Sequence, residues 1–202
     1  MRPLPSTSPP LGLRERKKIK LRRSVQREAL RLFAEQGYED TTVEQIAGAA
    51  DISTTTFYRY FPTKEDVVLD DDYDPIVEHI IGSGDDEEPL VSTVRTAIAA
   101  VAAAVEADRH AALARLKLLA SVPALRARQG AEGRKTFDFY LRLFSARSGR
   151  PVGDYRLRVT TAAFAAAQLE AARYWADAGG AESLGRLMDD AVTLVEPLIA
   201  AL

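Results

Sequence analysis

The stretch TTVEQIAGAADISTTTFYRYFP, from Thr41 to Pro62, limits the possible fold more than any other part of the chain. Val43, Ile46, Ala47 and Ala50 give one short apolar face at helical spacing, and Phe57 and Phe61, four apart, give another. Thr42 followed by Gln45 fits a capping box, the threonine oxygen on an early N–H and Gln45 reaching back. Ser53 suits the N-cap of a second helix, from Thr54 to about Phe61. Pro62 stops that helix, because proline disfavours helical geometry in the residue before it. Asp51 and Ile52 then have to make a tight turn. Two helices of about two turns joined this closely form a helix-turn-helix, with the motif at about 42–61.

The second helix carries chemistry as well as shape. With Phe57 and Phe61 turned inward, Thr54, Thr55, Tyr58 and Arg59 point outward. Arginine can read guanine or grip a phosphate, and threonine offers a methyl to thymine and a hydroxyl to base edges. Tyr58 and Tyr60 end in hydroxyls suited to phosphate oxygens, and the free N–H groups of a helix start such as that at Ser53 suit them too. Upstream, Leu13 to Gln36 reads as a helix with Leu21, Val25, Leu30, Leu32 and Phe33 apolar and Gly37 at a left-handed C-cap. Its first half is strongly basic. Up to Lys64 there are twelve Lys/Arg against seven Asp/Glu, and from Glu65 onward fifteen against twenty-two. A net charge of −2 therefore hides one end suited to a polyanion.

Thr63 with Asp66 opens a further helix, and Leu90, Val94, Ala97, Ile98, Val101 and Val105 repeat at helical spacing. More helices fit Arg109–Ser121, Pro123–Ser145, Asp154–Ala178 and Glu182–Leu202, with Pro75 and the Gly82/Gly84 loop read as an interdomain joint. No window shows sustained strand alternation. The expected fold is all-α, with about nine helices: a disordered tail at 1–12, a three-helix DNA-binding domain at 13–68, and a helical domain at 69–202.

LRLFAEQGYEDTTVEQIAGAADISTTTFYRYFPTKEDVV, Leu30 to Val68, resembles the DNA-binding domain of TetR-family transcriptional regulators. The motifs that carry it are F-A-E-x-G-Y, T-T-V-x-x-I-A, the I-S turn, F-Y-x-Y-F and x-K-E-D, over about the first third of the chain. FYRYFPTKEDV after the basic GLRERKK is most similar to the subgroup of mycofactocin-system regulators. The resemblance implies that Thr42 binds phosphate, that Thr54, Thr55 and Arg59 face bases, and that Tyr58, Tyr60 and Lys64 hold the backbone. It also implies an arm near the phosphates or minor groove from Arg14, Lys17 and Lys18. Thr55 stands where many members have glycine and Tyr60 where many have histidine, which leaves the operator sequence open.

For 69–202 the resemblance implies ligand binding and dimerisation, hence a repressor released from a palindromic double-stranded operator by a small apolar or acyl-bearing effector. Pocket candidates are Val94, Ile98, Val101, Leu116, Leu119, Phe137, Tyr140, Phe144 and Phe164, since such pockets are mostly apolar. The last two helices suit a four-helix homodimer interface. One offers Phe164, Gln168 and Trp175, and the other Leu184, Leu187, Met188, Ala191, Leu194 and Leu198.

Other chemistries find little support. There is no cysteine, and His79 and His110 lack partners at zinc spacing. Asp70, Asp72 and Asp74 alternate, but an EF-hand counted from Asp70 needs glycine and glutamate where Pro75 and Ile81 stand. No H-E-x-x-H, G-x-S-x-G, phosphate loop or dinucleotide fingerprint occurs, so neither enzyme nor cofactor is expected. No run is long and apolar enough for a bilayer, which points to the cytoplasm. An architectural DNA-binding protein without an effector pocket is the alternative, with an all-α enzyme behind it.

Overall fold

The computed structural model describes residues 13–70, 73–84 and 87–202, and of these the side chains of 13–16, 19 and 83 fall outside the description. The expected tail at 1–12, the side chain of Arg14 and the residue Asp72 thus lie outside the described residues. The described residues form ten α-helices and no strand: α1 Leu13–Gln36, α2 Val43–Ala49, α3 Thr54–Tyr60, α4 Lys64–Leu69, α5 Asp74–Ser83, α6 Leu90–Glu106, α7 Arg109–Ser121, α8 Pro123–Ser148, α9 Tyr155–Asp177 and α10 Leu184–Ala200. The described residues divide into two compact units, with the division between Val67 and Val68.

In the first unit α1 packs on α2 and α2 on α3. Val25, Ala29, Leu30 and Phe33 from α1 meet Val43, Ile46 and Ala47 from α2 and Phe57 from α3 in the buried set. Gly37 closes α1 at φ 91°, its N–H on the Phe33 carbonyl at 3.1 Å. Asp51 turns the chain between α2 and α3 at φ 55°, a left-handed geometry that aspartate tolerates better than most residues.

Ten helices stand where nine were expected, and α5 is the addition. Pro75 does not mark a joint. It sits in the first turn of α5, where its fixed φ suits a helix and its missing N–H would have no partner in any case. Val77 and Ile81, four apart, are buried in the core of the second unit, where α5 packs on α6.

In the second unit α10 packs along α9 and α6, and α8 along α9. The core joins Val94, Ile98 and Val101 of α6 to Phe144 of α8, Phe164 and Trp175 of α9, and Leu184, Val192 and Ile199 of α10. Arg95 fastens α6 to α10, donating to the Asp189 carboxylate, to Thr193 Oγ1 at 3.0 Å and to Glu196 Oε2 at 2.7 Å. The hydrogen bond to Glu196, then that to Asp189, hold its pKa above the usual arginine value. Arg115 of α7 donates to the carbonyls of Val68 and Leu69, the last two residues of α4, at 2.6 and 3.0 Å. Among the described residues no single helix is long and apolar enough to cross a membrane. One pair, α6 with α7, passes by length and composition together but is bent by 97°.

Candidate nucleic-acid interface

The helix-turn-helix is built by its caps. Thr42 Oγ1 accepts from the Gln45 N–H at 3.2 Å, and Gln45 Oε1 accepts from the Thr42 N–H at 2.8 Å, so both halves of the capping box form. Ser53 Oγ accepts from the Thr56 N–H at 3.1 Å and starts α3. The Asp66 carboxylate accepts from the Thr63 N–H at 2.8 Å, and Thr63 Oγ1 accepts from the Asp66 N–H, which caps α4 in the same reciprocal way.

The aromatic cluster divides as its spacing demands. Phe57 and Phe61 are both 0% exposed, with ring centroids 5.7 Å apart. Ser53, Thr55, Tyr58 and Arg59 are exposed, with Thr54 and Tyr60 half-buried beside them. The Tyr58 ring meets Phe57 edge-on at 5.5 Å, so the phenol stands on the buried ring with its hydroxyl end outward. The Arg59 guanidinium lies 5.2 Å from the Tyr60 ring centroid, which props it on the outer side of the helix. Thr42 is exposed at the start of α2, and Lys17 and Lys18 are exposed on the first turns of α1.

Lys64 has a second task that sequence reasoning did not assign. Its Nζ donates to the carbonyls of Tyr38 and Thr41 at 2.8 and 3.1 Å and lies 4.3 Å from the Tyr38 ring centroid. Two of its three N–H donors therefore tie α4 to the loop before α2. Tyr38 reinforces that tie through its hydroxyl, which donates to Glu65 at 3.0 Å. Arg22 was also missed as anything but bulk charge. It is half-buried, and its Nη1 donates to the Tyr60 carbonyl at 3.3 Å.

Arg59→Ala should lower specific affinity by about 1–3 kcal/mol, the worth of one bidentate base contact, while non-specific binding falls less. Operator and random-duplex titrations at one fixed salt concentration check it. Unchanged operator affinity would remove Arg59 from base reading.

In the second unit, the structure puts six of the nine expected dimer residues elsewhere than on a surface. Phe164, Gln168, Trp175, Leu184, Met188 and Ala191 are all buried within the chain's own core. Gln168 Nε2 donates to the Met188 carbonyl at 3.3 Å, and Trp175 Nε1 to the Glu182 carbonyl at 3.0 Å, so even their polar ends serve the α9–α10 contact. The apolar side chains that the same helices leave outside are Tyr155, Val159, Leu169 and Tyr174 on α9 and Leu194 and Leu198 on α10. Leu187, half-buried, packs against the core from the edge of that face.

Of the expected pocket residues, Val94, Ile98, Val101, Phe144 and Phe164 are buried in the core. Leu116, Phe137 and Tyr140 pack against it half-buried, and Leu119 is half-buried on α7. Tyr140 meets Phe164 edge-on at 4.9 Å, and Phe144 lies 5.3 Å from the same ring. A cavity of about 350 Å³ lies elsewhere, lined among others by Leu90, Val91, Arg147, Ser148, Ile199 and Leu202, and none of the nine lines it.

A capped helix-turn-helix that buries its aromatic anchors and exposes threonine, tyrosine and arginine, followed by an all-α unit, defines a helix-turn-helix transcriptional regulator. The family model for bacterial regulatory proteins of the tetR family matches residues 27–70, and that for the MftR C-terminal domain matches 88–200. The chain belongs to the TetR family of regulators, with a C-terminal domain of the MftR type. It is 55% identical over 58 residues to the HTH-type transcriptional regulator TcmR of Streptomyces glaucescens, covering 29% of this chain and 26% of that protein. It is 49% identical over 41 residues to the HTH-type transcriptional regulator HbdR of Aromatoleum sp. (strain CIB), covering 20% and 18%. These matches thus span about a quarter or less of the curated relatives.

Among solved structures, Thermus thermophilus FadR, a TetR-family repressor in complex with lauroyl-CoA, aligns at TM-score 0.59 and 23% identity over 87% of this chain and 93% of that one. FadR of Bacillus subtilis in complex with stearoyl-CoA aligns at TM-score 0.56 and 17% identity, over 86% and 96%. The SmeT–triclosan complex aligns at TM-score 0.62 and 18% identity, over 88% and 90%. At these identities the likeness is one of fold.

Proposed function

We propose that this regulator is a repressor that holds a palindromic operator as a homodimer and releases it when a small apolar or acyl-bearing ligand enters the second unit. The observation that carries the DNA half is the outward row Thr55, Tyr58 and Arg59, fixed over buried Phe57 and Phe61 on a capped helix. Tyr60, Thr42, Lys17 and Lys18 take phosphates in this reading, and Lys64 has one N–H donor beyond the two carbonyls it already holds. The protein then works where the DNA is, in the cytoplasm, and performs no catalysis.

One seven-residue helix reads too few bases for regulatory specificity, so two must act together. The exposed side of α9 and α10 is the surface proposed to join two copies. Tyr155, Val159 and Leu169 recur along one face of α9, with the small Ala162 and Ala166 between them, and Leu194 and Leu198 stand on α10. Exposed apolar side chains gathered on one face suit association, and two helices from each copy make a four-helix interface.

The ligand half rests on the aromatic layer of Phe137, Tyr140, Phe144 and Phe164 between α8 and α9, and on the acyl-CoA and triclosan complexes of the structural relatives. Arg115 on α7, bound to the end of α4, gives a ligand among these helices a direct grip on the helix that leads back to the DNA-binding unit. The experiment is a linkage cycle with acyl-CoA thioesters of graded chain length, titrated with and without operator duplex. A coupling of about 1–3 kcal/mol weakens operator binding roughly 5–150-fold, and operator must weaken thioester binding by the same factor. A thioester that binds equally well in both arms would contradict release by this ligand class.

A further inference from the structure

We infer that Arg22 is a positioning residue, which fixes the angle at which α3 meets DNA without touching the DNA itself. Arg22 lies on the long helix α1, thirty-eight residues before its partner, and counts at first sight as one more cation of a basic helix. Its Nη1 donates to the carbonyl of Tyr60, the last residue of α3, at 3.3 Å, and its guanidinium carbon lies 4.9 Å from the Phe61 ring centroid. A cation at that end of a helix meets the negative pole of the peptide dipoles and a carbonyl with no partner in the helix. The flat guanidinium can lie on the ring while donating from its edge, which a lysine ammonium cannot do. The other end of α3 is capped by Ser53, and Arg22 ties the C-terminal end to α1.

The inference rests on the DNA-binding reading, and the test separates the two. Arg22→Lys and Arg22→Met are compared with wild type by amide hydrogen exchange without DNA. They are also titrated against a duplex that wild type has selected from a random library and against an unselected duplex. In Arg22→Met the amides of Phe57 to Phe61 should exchange about tenfold faster, the worth of one charge-assisted hydrogen bond, with those of α2 unchanged. Affinity for the selected duplex should fall by about the same factor, more than for the unselected one, with the salt slope intact. Arg22→Lys should recover only part of both losses. A slope that drops by about 0.9 would make Arg22 a phosphate contact instead. Equal loss on both duplexes, or faster exchange across α2 as well, would reduce it to a general folding role. Wild-type exchange at Phe57 to Phe61 in Arg22→Met would overturn the inference even if wild type selects no duplex, an outcome that separately defeats the DNA-binding reading.

Discussion

Replacing Leu194 and Leu198 together by glutamate will convert the protein to a monomer and lower its affinity for a full palindromic site by about 10²–10⁴-fold, the avidity lost when two linked sites become one. Leu194 is 82% exposed and Leu198 41% exposed, so both lie on the surface and the fold of the chain leans little on Leu194 and only partly on Leu198. Surface changes of that kind usually move stability by only about 0.5 kcal/mol. In a four-helix interface the same positions would bury four carboxylates, whose desolvation nothing there offsets. Sedimentation reads the oligomeric state and duplex titration the affinity. A half-site duplex, which needs only one reading helix, should lose far less. A double variant that sediments as a dimer would exclude the α9–α10 face. A monomer that still held the full site with wild-type affinity would exclude dimeric reading.

Phe57→Ala will cost about 3–5 kcal/mol of the stability of the first unit, the usual range for emptying a buried phenylalanine site. Phe57 is fully buried, lies 5.7 Å from Phe61 and carries the Tyr58 ring edge-on. The vacated space sits under the helix that presents Arg59, so the truncation removes the floor of the interface. Against a total of about 5–15 kcal/mol for a typical domain, that loss leaves the unit marginal. Chemical denaturation should show an early transition for this unit, operator binding should fail, and ligand titration of the second unit should be little changed. A cost below about 1 kcal/mol would mean that Phe57 is not the anchor its position implies.

The DNA-binding unit was readable because each of its parts has a local signal. Thr42 with Gln45, Ser53, Thr63 with Asp66, Gly37 and Pro62 set helix ends by rules that need no tertiary context, and Phe57 with Phe61 fixed the inner side of α3. The α9–α10 face was not readable in the same way. Alanine and larger apolar residues surround most of α9, so its periodicity does not say which side turns inward, and Phe164, Gln168 and Trp175 proved to be core. On α10 two apolar stripes run side by side. Met188, Ala191, Val195 and Ile199 went inside, and Leu194 and Leu198 stayed out. Composition treats both stripes alike, and only the packing of α6 and α9 chose between them. Pro75 misled for a related reason, since proline marks a helix start as readily as a break. The internal bonds of Lys64 and Arg22 were not readable, because a lysine or arginine in a basic segment carries no mark of the carbonyl it will meet 26 or 38 residues away.

Sequence-specific DNA binding through α3 is tested most directly by footprinting of genomic DNA with the purified protein at physiological salt. The expected result is a few protected palindromes whose half-sites are about one helical turn, roughly 34–36 Å, or a multiple of it apart. Protection at those sites should disappear in Arg59→Ala under the same conditions. Uniform protection without preferred sites, or preferred sites retained in full by Arg59→Ala, would contradict it.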